Sequence, residues 1–222
     1  MNKDQLELYT DYLTVTFGDA TATGLSSRLD RSMSHDAITR FLSKEKYTSK
    51  DLWKQVKPTV REIESSDGVL IVDDSIEEQP HRDETERVCW HYDHSKGRQV
   101  KGINWLNCLY HVNDISIPVS FELIHQPIKF IDPKTHPEKR RSEVTRNQLM
   151  REMLETCRSN QLIFSWVLFD SWFSSTENFE PIKIKGQKDF IGALKSNRLV
   201  ALTQEDQLKG SFIRVDQIEW SE

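Results

Sequence analysis

Three cysteines, Cys89, Cys108 and Cys157, are all that this 222-residue sequence contains, and they fall at no paired spacing. That excludes a disulfide framework and leaves packing as their expected role. No run of about 20 apolar residues occurs, so no transmembrane helix is expected. The opening MNKDQLELYTDY has no apolar segment of the kind a secretory signal needs. A soluble protein in a reduced, cytoplasmic setting is the expectation. Positive charge is also short: the net charge is -5. A simple basic nucleic-acid coat protein is therefore excluded, because phosphate binding rests on Lys and Arg. Any contact with DNA must come from local patches.

The first 64 residues read as helices: LELYTDYL, SSRLDRSMSHDAITRFLSK and TSKDLWKQVKPTVREI, separated by Gly18, Gly24 and capping Ser/Thr positions. Ser34 is a candidate N-cap for a short helix whose Ile38, Phe41 and Leu42 form an apolar stripe. Short helices joined by tight turns fit a helix-turn-helix, and they fit a plain helical bundle at least as well.

After the turn-rich Ser65-Ser66-Asp67-Gly68, the pattern changes to strands. Val69–Val72, Gly102–His111 and Ile117–Ile124 predict a three-stranded meander, the last two strands joined at Asn113-Asp114. A helix is expected over Ser142–Arg158, and the apolar run Leu162–Phe169 predicts a central strand covered on both faces. A helix near Ser174–Ile182 and a strand at Asp189–Lys195 follow, and from Leu199 the text suggests short strands.

Two of these strands end in acid: Asp73, with Asp74 beside it, and Asp170. A buried strand end is a costly place for negative charge unless something positive compensates it. Adjacent strand ends lie about 5 Å apart, so carboxylates on both can share one cation. Magnesium suits such a site, since one or two carboxylates hold it while phosphate and water complete the octahedron. Two such ions about 4 Å apart serve phosphodiester chemistry. Each aspartate alone could equally be a turn former or the cap of the next helix.

IVDDS, then DHSKGRQVKGINWLNCLYH, then VLFDSWFSS together resemble the DDE transposases of bacterial insertion sequences, and the resemblance covers nearly the whole chain. It implies an α/β ribonuclease H-like mixed sheet flanked by helices, preceded by a small all-helical domain. The implied divisions are a DNA-binding or oligomerising unit over 1–64, a partial catalytic domain over 65–198, and the start of a β-rich insertion over 199–222. The family's first aspartate, in an Asp-x-Thr/Ser context, falls on Asp73, and its second, before an aromatic pair, falls on Asp170. Both are implied as catalytic metal ligands for Mg2+ or Mn2+. The third acid is a glutamate on a later helix, and Glu177, Glu180, Glu205 and Glu219 all lack its context. The resemblance is thus to the front portion of a transposase, expected not to complete catalysis by itself. The implied reaction is hydrolysis at transposon ends followed by strand transfer. The implied partner is double-stranded DNA, at transposon ends and target, with no membrane and with a homodimer in the DNA complex.

Lys96 and Arg98 are candidate DNA-backbone contacts. So are Lys139, Arg140, Arg141 and Arg146 in the basic stretch that begins at Lys129 and includes Lys134, although a solvated face is the plainer reading of that run. His91 and His94 have a zinc-like spacing with no partner pair elsewhere. Trp172 and Phe173 could stack on an unpaired base, with packing the more common fate of such aromatics. Two rivals to the transposase reading are a metal-dependent nuclease on the same scaffold and a DNA-binding or multimerising remnant without catalysis.

Overall fold

The computed structural model describes residues 3–44, 46–133 and 138–219, so Lys134 and the last three positions of the expected insertion lie outside the described residues. The chain divides into two compact units, Met1–Tyr47 and Thr48–Glu222. In the first, helices α1 (Lys3–Val15), α2 (Ala22–Arg28) and α3 (His35–Lys44) bury Tyr12, Leu25 and Ile38 in a small core of their own. The Ser34 hydroxyl accepts from the Ala37 N–H at 3.2 Å, as expected of a cap at the start of α3. No helix among the described residues is long and apolar enough to cross a membrane.

Helix α4 (Ser49–Ile63) belongs to the second unit, which moves the division expected at residue 64 back to residue 47. The physical reason is its stripe of Trp53, Val56, Val60 and Ile63 at helical spacing, which packs into the core of the sheet. Its end is tied down as well. Arg61 Nη1 meets Glu64 Oε1 at 2.6 Å, and Glu64 Oε2 accepts from the Ile163 N–H at 3.1 Å.

The sheet is built from β1 (Val69–Glu78), β2 (Val88–Asp93), β3 (Arg98–Val112), β4 (Ile115–Leu123), β7 (Trp166–Phe169) and β8 (Asp189–Gly192). Its order is β2-β3-β1-β7-β8, with β4 also paired to β3. The first four strands pair antiparallel, and β1, β7 and β8 run parallel, so the sheet is mixed. This is the ribonuclease H-like arrangement that the resemblance implies. Two small strands, β5 (Ile128–Ile131) and β6 (Glu138–Arg141), pair with each other, so part of the basic stretch is a hairpin. Helix α5 (Arg146–Ser159) then lays Met150, Met153, Leu154 and Cys157 on the sheet.

Several expected boundaries shift. Strand β1 does not stop at its aspartates but continues to Glu78, because β3 is long enough to pair with it down to Gly102. The segment expected to be a loop around His91 is the edge strand β2. Its inward Cys89 and His91 alternate with outward Trp90 and Tyr92. Only the last four residues of the apolar run Leu162–Phe169 form β7. The expected helix near residue 174 is α6 (Thr176–Glu180), which continues as a π turn over Pro181–Lys185. Beyond Leu199, β9 (Leu199–Val200) and β10 (Ile213–Arg214) are two-residue strands separated by a helix, α7 (Gln204–Lys209), rather than a run of strands.

Gly102 marks the tightest crossing of the sheet. A Cβ built there would fall 2.2 Å from the carbonyl oxygen of Glu77, a backbone atom held in the β1–β3 ladder. Gly102→Ala is therefore expected to cost roughly 1–3 kcal/mol, the usual penalty of overpacking, read as a lower urea midpoint.

One face of the sheet carries Leu70 and Val72 of β1, Leu106 and Cys108 of β3, and Val167 and Phe169 of β7, all buried with residues of α4 and α5. On the opposite face, Trp105, Trp166 and Ile191 remain exposed. Side chains alternate along each strand, so the parity of a residue decides which environment it meets.

Candidate active site

Strands β1 and β7 pair in parallel, with Leu70 opposite Val167 and Val72 opposite Phe169. The next position on each is an aspartate, Asp73 and Asp170, so the register sets the two acids side by side where the parallel pairing ends. Asp73 has the parity of Ile71 and points away from the helices, whereas Asp74 has the parity of Leu70 and Val72 and points toward them.

The two neighbouring acids consequently differ. Asp74 Oδ2 meets Arg146 Nη1 at 2.9 Å and accepts from Asn104 Nδ2 at 3.1 Å. Arg146 is the first residue of α5, whose start is fixed by the Thr145 hydroxyl accepting from the Gln148 N–H at 3.1 Å. Among the described residues Asp73 pairs with no cation. Its Oδ1 accepts from the Asp74 N–H at 2.9 Å. Burial first, then the charges of Asp74 and Asp170, push its carboxyl above the usual aspartate range, against that one hydrogen bond.

Asp170 is positioned by a turn. Its Oδ1 accepts from the Trp172 N–H at 2.9 Å, and its carbonyl accepts from the Phe173 N–H at 3.2 Å. Phe173 is sunk in the core, and its carbonyl accepts from the Asn178 amide at 2.7 Å. Buried Asn178 in turn accepts from Arg151 Nη1 on α5 at 2.8 Å. The segment after Asp170 is thus locked to the helix layer while the carboxylate stays free of any ion pair among the described residues.

A cleft of about 460 Å³ opens over both acids, lined also by Ser75, Tyr92, His94, Lys96, Arg146 and Trp172. Two adjacent carboxylates without an ion pair among the described residues, one of them pushed toward protonation, would be relieved by a divalent cation, for which hard oxygen donors are suited. Among the described residues no group of three His, Cys, Asp or Glu side chains is placed to hold a metal ion. Among the described residues the two aspartates would be the oxygen ligands, and phosphate and water would have to supply the rest.

The expected DNA contacts separate on the structure. Lys96 and Arg98, at the β2–β3 hairpin tip, both reach Glu78 Oε1, with Arg98 Nη2 at 3.0 Å, and these partners hold the Glu78 carboxyl below its ordinary range. Lys139 pairs with Asp132, and Arg140 Nε meets Glu84 Oε1 at 3.0 Å. Arg141 lies over the Phe130 ring at 5.8 Å. Arg146 leaves the basic surface group altogether, since its guanidinium serves Asp74 inside the cleft.

The two histidines with zinc-like spacing are parted by strand alternation. His91 is buried beneath the sheet, and His94 lies exposed at the hairpin tip against Tyr92 and Trp172. The sequence did not point to the buried polar group beside Asp74, in which Asn104 Oδ1 and His91 Nε2 have no hydrogen-bond partner among the described residues. The alternation in VCWHYD was the available signal for the position of His91.

No curated protein matches the chain. A family model does, described as DDE superfamily endonuclease and covering residues 2–208, and that family acts on DNA and typically uses divalent metals. With its two aspartates carried to adjoining strand ends of a mixed sheet, this chain belongs to the DDE superfamily endonucleases.

Proposed function

We infer that the protein is the catalytic core of a DNA transposase of the insertion-sequence type, with Asp73 and Asp170 as its metal-binding acids. The observation that carries this reading is the uncompensated pair of aspartates at matched ends of β1 and β7. Asp73 and Asp170 would hold a divalent ion, Mg2+ or Mn2+, which would supply Lewis-acid stabilisation of charge developing on a phosphodiester. The chain's own part is to hold both carboxylates side by side at the strand ends, while Arg146 engages Asp74 and leaves Asp73 and Asp170 to the cation.

The reaction that fits is attack of water on the phosphorus at an element end. The P–O3′ bond breaks, leaving a 3′ hydroxyl on the element and a 5′ phosphate on the flanking strand; that hydroxyl then attacks a phosphorus of target DNA and displaces the target's 3′ oxygen as a hydroxyl. Double-stranded DNA is the partner, with two copies of the chain on it, in a bacterial cytoplasm. The division into a DNA-binding or oligomerising N-terminal unit and a catalytic unit serves the same reading. A second reading, a remnant that occupies DNA without cutting it, is favoured by the placement of two rather than three acids among the described residues.

Incubation of supercoiled plasmid carrying the element ends with the chain and Mn2+ separates the readings. Nicks bearing 3′ hydroxyls, absent with chelator, support the enzyme. Retarded but intact DNA supports the remnant, and nicking without joined products in a target-DNA assay supports a simple nuclease.

A further inference from the structure

Three aromatic rings from two separate elements meet at the lip of the cleft. Tyr92 and His94 come from the β2–β3 hairpin, and Trp172 comes from the turn after Asp170. The His94 ring stands edge-on to Tyr92 at 4.7 Å and to Trp172 at 5.1 Å. Tyr92 is 48% exposed and Trp172 42% exposed, whereas the adjacent Phe173 is buried. Lys195 Nζ sits 4.4 Å above the Trp172 ring. A single exposed aromatic needs no explanation. Three that converge beside a pair of acids, with a cation on the outermost ring, have the composition of a single-strand binding surface.

The wall also continues. Tyr92 lines a second cavity, of about 480 Å³, together with Trp90 and the basic residues Lys139 and Arg140. Trp90 and Tyr92 are two residues apart on β2 and so share its outward face. The aromatic row thus leads away from Asp170 along β2 into a cavity of mixed charge, where Glu84 and Glu138 stand beside Lys139 and Arg140.

We propose that Tyr92, His94 and Trp172 form a stacking platform for an unpaired DNA base next to the phosphodiester that meets Asp73 and Asp170. Lys195, exposed and flexible, swings from the Trp172 ring to the backbone phosphate as the base takes its place. The substrate at the cleft is then a locally single-stranded or frayed end rather than a continuous duplex. This rests on the proposed action on DNA at Asp73 and Asp170, and its test runs without metal so that the two can fail separately.

The experiment titrates the full chain, in chelator, with a single-stranded oligonucleotide containing 2-aminopurine and with the blunt duplex of the same sequence. Stacking quenches 2-aminopurine. The expected result is quenching by the native chain and by Asp73→Asn. Trp172→Ala, which keeps the N–H that Asp170 accepts, is expected to weaken single-strand binding about tenfold and remove the quenching. Duplex affinity should stay within about twofold, and Trp172→Phe should restore most of the single-strand effect. Tyr92→Ala serves as the second variant should Trp172→Ala fail to fold. Equal losses on both DNA forms, or no loss on either, would overturn the platform. Quenching that persists while Asp73→Asn leaves metal-dependent nicking intact would keep the platform and overturn the acid pair.

Discussion

Asp73→Asn and Asp170→Asn are each expected to weaken Mn2+ binding in the presence of DNA by about 100-fold or more, while the protein becomes no less stable. A hard cation held by two carboxylates loses half of its protein ligands when either is made neutral, and even outer groups around metal sites are worth about 10–100-fold in affinity. Stability moves the other way for Asp73, whose ionised form is disfavoured by burial and by the charges of Asp74 and Asp170. An amide at that position removes the repulsion and keeps the shape, so the melting temperature should hold or rise. Calorimetric titration of the three proteins, each with element-end DNA, measures the first effect, and thermal unfolding measures the second. Equal binding by all three would mean that the aspartates are structural, and a fall in melting temperature would mean that Asp73 serves the fold. The combination of lost binding with retained stability is what a strained functional site gives.

Acid should destabilise the protein through His91 well before its ordinary carboxylates titrate. Only 4% of His91 is exposed, and burial first, then the Arg146 charge, lower its pKa from the ordinary imidazole value to about 4. The unfolded chain takes up a proton near its ordinary value, and the folded chain does so only near 4. Between those values the unfolded state binds more protons, so stability falls as pH is lowered from about 7 toward 4. The shift corresponds to a loss of about 3 kcal/mol. Asp73 acts with the opposite sign, because its raised folded value makes acidification favour the folded state. Comparing the native chain with His91→Leu isolates the histidine. Urea midpoints at pH 7.5 and 4.5 should differ less in the variant, by roughly that amount. An unchanged pH dependence, or a His91 ring signal titrating near its ordinary value, would show that the imidazole is not held neutral by burial.

His91 also shows why the sheet was only partly legible. VCWHYD alternates with a period of two, but it lies between acidic and turn-rich segments, and its edge position is set by pairing with β3, whose partner residues lie outside the segment. Such partners decide whether a short segment becomes a strand or a loop. The same holds for β1, whose extension past Asp73 rests on the fifteen residues of β3. Helix α4 reads as one more member of an N-terminal helical group, yet its apolar stripe had two surfaces it could have covered, and packing chose the sheet.

Local chemistry determined a good deal by itself. Apolar runs that stop at Asp73 and Asp170, and a helical period before the last central strand, were enough to predict central strands ending in acid, because burial pattern and charge cost act residue by residue, while the mixed sheet followed from the resemblance. Tertiary structure decided the rest. Asp73 and Asp74 are adjacent and chemically identical, and only the pleat turns one toward Asp170 and the other to Arg146 and Asn104. Trp172 and Phe173 are adjacent aromatics, and only the turn locked by Asn178 buries one and leaves the other at the lip of the site. In both pairs the sequence names the residue types, and the direction each side chain faces follows from which strand or helix lies next to it in space.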